Sequence, residues 1–230
     1  MSASPERRVA LLAGASGLVG SHCLKRLLGE PGYARVITLT RRLLPHDDPK
    51  LEQRVVEFDR LGTVGVEFPR ATDVFCCLGT TMRQAGSEAA FRQVDFTYVV
   101  SLASLALGAG ARQFLLVSSL GASPKSRIFY SRVKGETEAA VAALPFEARQ
   151  ILRPSILVGE RGERRAGEAI GAAVMRGAAF AMLGPLRKYR PIAAATVAEA
   201  MVRVALRAPR GVNVYESDEV ERLGYIPHST

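Results

Sequence analysis

Tyr130 and Lys134 stand four residues apart in the segment VSSLGASPKSRIFYSRVKGETE, which begins at Val117. On a helix that spacing brings both side chains to one face, so an ammonium can sit beside a phenol. A phenol with a pKa near 10 exchanges protons poorly at neutral pH unless its anion is stabilised. A cation at about 4 Å contributes roughly 1 kcal/mol in water and about 4 kcal/mol at an effective dielectric near 20, so the pair needs a water-poor cleft. There Lys134 lowers the phenol's pKa, Tyr130 serves as general acid or base, and a hydroxyl from Ser118 or Ser119 hydrogen-bonds the substrate oxygen. Chance alone supplies about 0.13 such Tyr–Lys pairs in a chain of this composition. The weight therefore comes from position, at the carboxyl side of a predicted strand and opposite a glycine turn. The plainer alternative makes Tyr130 a half-buried packing residue and Lys134 a solvated helix charge.

A proton donor of this kind pairs with a hydride carrier, and the first forty-two residues have the order that grips one. An apolar run from Arg8 to Ala13 leads into GASGLVG, a helical pattern, a second apolar run and Arg41-Arg42. Strand, glycine turn, helix, strand and charged cap together form the dinucleotide fingerprint. Gly14 takes the positive-φ turn, Gly17 lets the helix N-terminus approach a pyrophosphate, and Gly20 allows close packing of helix and strand. NAD-selective sites place an acid about 20 residues beyond the glycines. Here Thr38-Leu39-Thr40-Arg41-Arg42 offers none before Asp47. Two planar guanidiniums suit a 2′-phosphate, so the expected cofactor is NADP(H); otherwise the arginines simply solubilise a loop.

Short apolar runs at 8–13, 35–40, 53–58, 73–78, 113–118 and 148–152 alternate with helical patterns. That alternation predicts an α/β Rossmann fold, a doubly wound parallel sheet with helices on both faces. Ser87 caps a helix whose apolar face comprises Phe91, Val94, Tyr98, Leu102, Leu105 and Ala106. Asp95 interrupts this stripe and either reaches solvent or bonds backbone near the active site. Asp59, closing the third run on the ligand-binding edge, is expected at the adenine side. At 230 residues the chain suits one domain, with a cofactor-binding core over 1–154 and a small substrate-capping segment over 155–230. Residues 166–186, small and apolar, read as a cap over the pocket, a packing helix or a peripheral membrane contact.

The net charge of +9 raises nucleic acid as a partner, but the arginines are scattered and no basic run is interleaved with aromatics. The N-terminus lacks the apolar core of a secretory signal and no long uncharged apolar stretch follows, so no integral membrane segment and a cytoplasmic location are expected. Three cysteines and three histidines are placed as neither a disulfide framework nor a metal site.

GASGLVG, Tyr130-Ser-Arg-Val-Lys134 and Arg153-Pro154 resemble the extended and atypical branches of the short-chain dehydrogenase/reductase superfamily. More narrowly, CCLGTT at 76–81, AGSEAAFRQVDF at 85–96, the segment Ser118 to Glu136 and the ending YESDEVERLG are similar to the Tat-interacting-protein oxidoreductase group and its bacterial relatives. The resemblance implies NADP(H) binding with Gly14, Ser16, Gly17, Leu18 and Val19 at the pyrophosphate and Arg41 and Arg42 at the 2′-phosphate. It implies Cys77, Leu78 and Gly79 along the adenine-side ribose, Tyr130 and Lys134 at the nicotinamide ribose, and Pro154 and Ser155 beside the nicotinamide. The superfamily's catalytic hydroxyl usually matches Ser119, with Ser118 the other choice. The expected activity is reduction or oxidation of a small carbonyl or alcohol; the alternative is a non-catalytic NADPH sensor that binds a protein partner.

Overall fold

The computed structural model describes residues 8–61, 68–159 and 184–225. Within them β1 (Arg8–Ala13), β2 (Tyr33–Thr40), β3 (Leu51–Val55), β4 (Asp73–Cys76), β5 (Gln113–Val117) and β6 (Ala148–Arg153) follow the six apolar runs. A short pair, β7 (Leu157–Val158) and β8 (Ile192–Ala193), forms a separate parallel ladder. A further strand, β9 (Gly211–Glu216), joins the main sheet, whose order is β3-β2-β1-β4-β5-β6-β9. Every pairing in it is parallel.

Side chains alternate across each strand and so feed two cores. Ala10 and Leu12 face α1 (Leu18–Leu28) and α6 (Ala194–Arg207), packing with Cys23, Leu24, Leu27, Val197 and Met201. Leu11 and Ala13 face α4 (Tyr98–Gly108) and α5 (Phe129–Ala143), with Val99, Leu102, Phe114 and Val141. A final helix, α7 (Ser217–Gly224), packs on α6. Much of the carboxyl-terminal segment thus closes the sheet through α6 and β9. Of the expected cap at 166–186, residues 166–183 lie outside the described residues.

Two expectations need correction here. The sequence predicts a third strand at 53–58, yet pairing ends at Val55 and Phe58–Arg60 form a 3-10 turn that buries Phe58. The apolar stripe from Ser87 is also displaced. Ser87 does cap a helix, accepting from the Ala90 amide at 3.1 Å. However, α2 (Met82–Ala85) and α3 (Glu88–Arg92) lead into a π-turn at Gln93–Thr97 before α4. One extra residue in that turn rotates the buried face by one position. Asp95 and Val99 are buried where Val94 and Tyr98 were expected, and Asp95 has no exposure at all. The solvent-facing alternative for Asp95 is therefore wrong.

A chain of buried polar contacts crosses the sheet toward its amino edge. The Tyr33 hydroxyl donates to Asp73 (2.7 Å), Gln113 donates to the other Asp73 oxygen (3.3 Å), Gln150 donates to Gln113 (3.4 Å), and Tyr215 donates to Gln150 (3.0 Å). Arg8 reaches Asp73 at 3.4 Å. Burial pushes both the Tyr33 phenol and the Asp73 carboxyl up from their ordinary values.

Candidate active site

β1 ends in a turn tight enough to exclude a side chain. Gly14 has φ of 86°, and a Cβ there would lie 2.4 Å from the Cys77 carbonyl oxygen. A Cβ on Gly20 would lie 2.0 Å from the Gly14 carbonyl oxygen, so α1 presses against its own entry turn. Gly17 caps α1 without a side-chain hydrogen bond, and the first turn carries no acid. That leaves the positive end of the helix dipole facing the turn. Ser16 is exposed there, whereas Leu18 and Val19 pack into the core, so any contact they make with an anion falls to their backbone amides.

Arg41 and Arg42 are exposed directly after β2. Asp59 accepts from the Tyr98 hydroxyl at 2.6 Å and from Gln93 at 3.2 Å. Burial and then Asp59 raise the Tyr98 phenol, and Arg41 opposes them, which puts Arg41 within electrostatic reach of this group. The buried Thr40 hydroxyl, one residue before the arginines, has no hydrogen-bond partner among the described residues. A bare glycine turn, an uncapped helix and an orphaned hydroxyl beside two arginines fit a dinucleotide.

After β4 the chain runs from Cys77 to Gly79 along this turn. The Cys77 thiol faces the core, 3.8 Å from the Met201 sulfur, and the neighbouring Cys23 together with burial pushes it up. Cys76 is pushed up to about 12 by burial. Cys77 and Leu78 therefore offer backbone to a ligand, since the Leu78 side chain also packs inward. At Gly79 a Cβ would lie 3.3 Å from an Asp95 carboxylate oxygen and 3.6 Å from the Lys134 ammonium nitrogen.

Tyr130 and Lys134 occupy the first two turns of α5. The Tyr130 ring packs on Phe91 with centroids 5.3 Å apart, and Lys134 is buried with its Nζ 2.7 Å from Asp95 Oδ1. Burial alone would lower the Lys134 pKa, but Asp95 and then Tyr130 outweigh it and hold the ammonium above its ordinary value. The two serines at the end of β5 diverge. Ser118 is buried and its hydroxyl donates to Glu138, which Arg153 also grips through Nη2 at 2.5 Å and Nε at 3.0 Å. Ser119 is half-buried, and its hydroxyl donates to the Leu120 carbonyl at 3.5 Å. Pro154 accepts from the Leu120 amide at 2.9 Å, tying the ends of β5 and β6 together. The Ser155 hydroxyl donates to the Arg190 carbonyl, and its amide donates to Ser217 at 3.0 Å. Ser155 thus holds the segment that returns at 184–192.

Glu138 was missed by sequence reasoning, although it lies four residues after Lys134 and eight after Tyr130, on the same face of α5. That periodicity was the available signal.

Comparison with known proteins agrees with the fold. The family described as the NAD dependent epimerase/dehydratase family matches residues 10–216. Protein HTATIP2 of Rattus norvegicus is 38% identical over 166 residues, covering 71% of this chain and 68% of its own. Protein FMP52, mitochondrial, of Eremothecium gossypii is 33% identical over 222 residues, covering 93% and 96%. Among solved structures, MoeE5 in complex with UDP-glucuronic acid and NAD superposes with a TM-score of 0.67 at 20% identity, over 90% of this chain and 75% of that one. Human epimerase family protein SDR39U1 with NADPH gives 0.62 at 15% identity, over 90% and 74%. The neighbours carry both NAD and NADPH, so likeness of fold leaves the choice of phosphate open. Several fungal relatives are named as mitochondrial proteins, which overturns the cytoplasmic expectation. That expectation rested on the lack of an apolar signal core, a test that mitochondrial leaders, being amphipathic and Arg-rich, also pass.

Proposed function

The chain belongs to the NAD dependent epimerase/dehydratase family, and from that premise we propose that it is an NADP(H)-dependent oxidoreductase acting on a small carbonyl or alcohol, with Tyr130 as general acid or base. The observation that carries this reading is the loop Cys77–Gly79. One end of it touches Gly14 in the glycine turn, and the other end lies against Lys134. A ligand gripped by the turn and following this loop arrives at the Tyr–Lys pair.

In this reading the backbone amides of Ser16, Gly17, Leu18 and Val19 bind the pyrophosphate and Arg41 and Arg42 bind the 2′-phosphate, with Thr40 and Asp59 at the adenine side. Bound NADP(H) supplies or accepts the hydride. Lys134 donates to the nicotinamide ribose, and the backbone of Pro154 and Ser155 bounds the ring. Ser119 orients the substrate oxygen, because the Ser118 hydroxyl already donates its hydrogen bond to Glu138. In the reducing direction Tyr130 transfers its phenolic proton to that oxygen, and the charge of Lys134 steadies the phenolate left behind.

Titration calorimetry tests the cofactor assignment. NADPH should bind at least about tenfold more tightly than NADH, a difference of about 1.4 kcal/mol, and Arg41→Ala with Arg42→Ala should erase the preference while sparing NADH. Equal affinities in the native chain would remove the arginines from the site. The serine pair gives an independent check. Ser119→Ala should lower turnover about a hundredfold, whereas Ser118→Ala should cost about 1–3 kcal/mol of stability by leaving Glu138 short of a donor. The reverse ranking in turnover would move the role to Ser118.

A further inference from the structure

Asp95 is a buried titratable group that the proposed chemistry does not use, yet it touches the residue on which that chemistry depends. We propose that Asp95 is a positioning residue that sets how firmly Tyr130 holds its proton. Its carboxylate fixes the Lys134 ammonium and offsets its charge, so Tyr130 keeps its proton to higher pH than an unpaired lysine would allow. This rests on the reading of Tyr130 as the proton donor.

Three anchors fix the carboxylate. The π-turn directs Asp95 inward, the Thr80 amide donates to Oδ2 at 2.9 Å, and the Thr137 hydroxyl, shared with the Val133 carbonyl, donates to the Asp95 carbonyl at 2.9 Å. Oδ1 is left to meet Nζ at 2.7 Å, off the line of a straight hydrogen bond, with side-chain exposures of 0% and 8%. A Cβ at position 79 would crowd Oδ1 at 3.3 Å and come into ordinary contact with Nζ at 3.6 Å. The titratable groups around the ammonium are Asp95 from the π-turn, Tyr130 from its own helix and Cys76 from β4. Cys76 stays a neutral thiol because burial pushes it to about 12. Glu138, one turn further along α5, is taken by Ser118 and Arg153. Among these groups Asp95 supplies the full negative charge. A lysine paired in this way presents a dipole to Tyr130, whose field falls off faster than that of a lone cation.

The test is a spectroscopic pH titration of the phenolate, read as the difference between each protein and the same protein carrying Tyr130→Phe, which needs no substrate. Asp95→Asn keeps an acceptor for Thr80 and removes the charge, so the Tyr130 midpoint should fall by about one pH unit or more. An unchanged or raised midpoint overturns the proposal. Should Asp95→Asn fail to fold around an unpaired buried ammonium, the comparison moves to Lys134→Met against Lys134→Met with Asp95→Asn. The double variant should then titrate lower than the single one by a similar amount, and equal midpoints overturn the proposal. A shifted midpoint alongside full reductase activity in Tyr130→Phe would instead sink the catalytic role of Tyr130 and leave the electrostatic coupling standing.

Discussion

Tyr130→Phe should lower carbonyl reduction by about a hundredfold or more, the scale on which a positioned general acid acts. The substitution keeps the ring that packs 5.3 Å from Phe91, so the fold and most NADPH affinity should survive. A panel of aldehydes and ketones, followed by NADPH oxidation, identifies a substrate on which to measure the loss. Full activity in the variant would show that the proton comes from elsewhere. If the native chain turns over nothing in a broad panel, and Tyr130→Phe leaves binding of a protein partner unchanged, the NADPH-sensing alternative is the better account.

Gly20→Ala should be a severely damaging single-methyl change in the cofactor half. The new Cβ would stand 2.0 Å from a carbonyl oxygen of the same turn, and neither atom is the free end of a side chain that can swing aside. Helix α1 must move away from Gly14, at a cost of about 3 kcal/mol or more, the upper end for overpacking. The amides aimed at the pyrophosphate move with it, so NADPH affinity should fall about a hundredfold or more alongside the thermal midpoint. Gly108→Ala is the control, since a Cβ there meets nothing within 4 Å and should leave both quantities unchanged. Native affinity in Gly20→Ala would mean the turn is not the cofactor's cradle.

The sequence was most informative where local chemistry and local structure coincide. The positive φ of Gly14 and the period-two burial of β1 follow from a few neighbouring residues and needed nothing distant. The π-turn at Gln93–Thr97 has no comparable local signature. Its extra residue is held partly by Thr137 on another helix, so a helical period drawn through 87–106 puts Tyr98 inside and Asp95 outside. β9 was missed for a related reason. It is an edge strand carrying Asn213, with Val212 and Val214 exposed, and only its pairing with β6 reveals it. The choice between Ser118 and Ser119 likewise turns on Glu138, twenty residues along the chain.

The polar chain near the amino edge of the sheet has a consequence for folding. In a parallel sheet covered on both faces, sliding one strand by a residue exchanges one apolar environment for another, so the hydrophobic pattern alone resists slippage weakly. Tyr33, Asp73, Gln113, Gln150 and Tyr215 resist it strongly, because a slip anywhere along the row leaves buried donors and a buried carboxylate without partners. Those five side chains act as a ruler for alignment, and the strand ends that carry the Cys77–Gly79 loop and Ser119 are brought level by polar groups at the opposite edge.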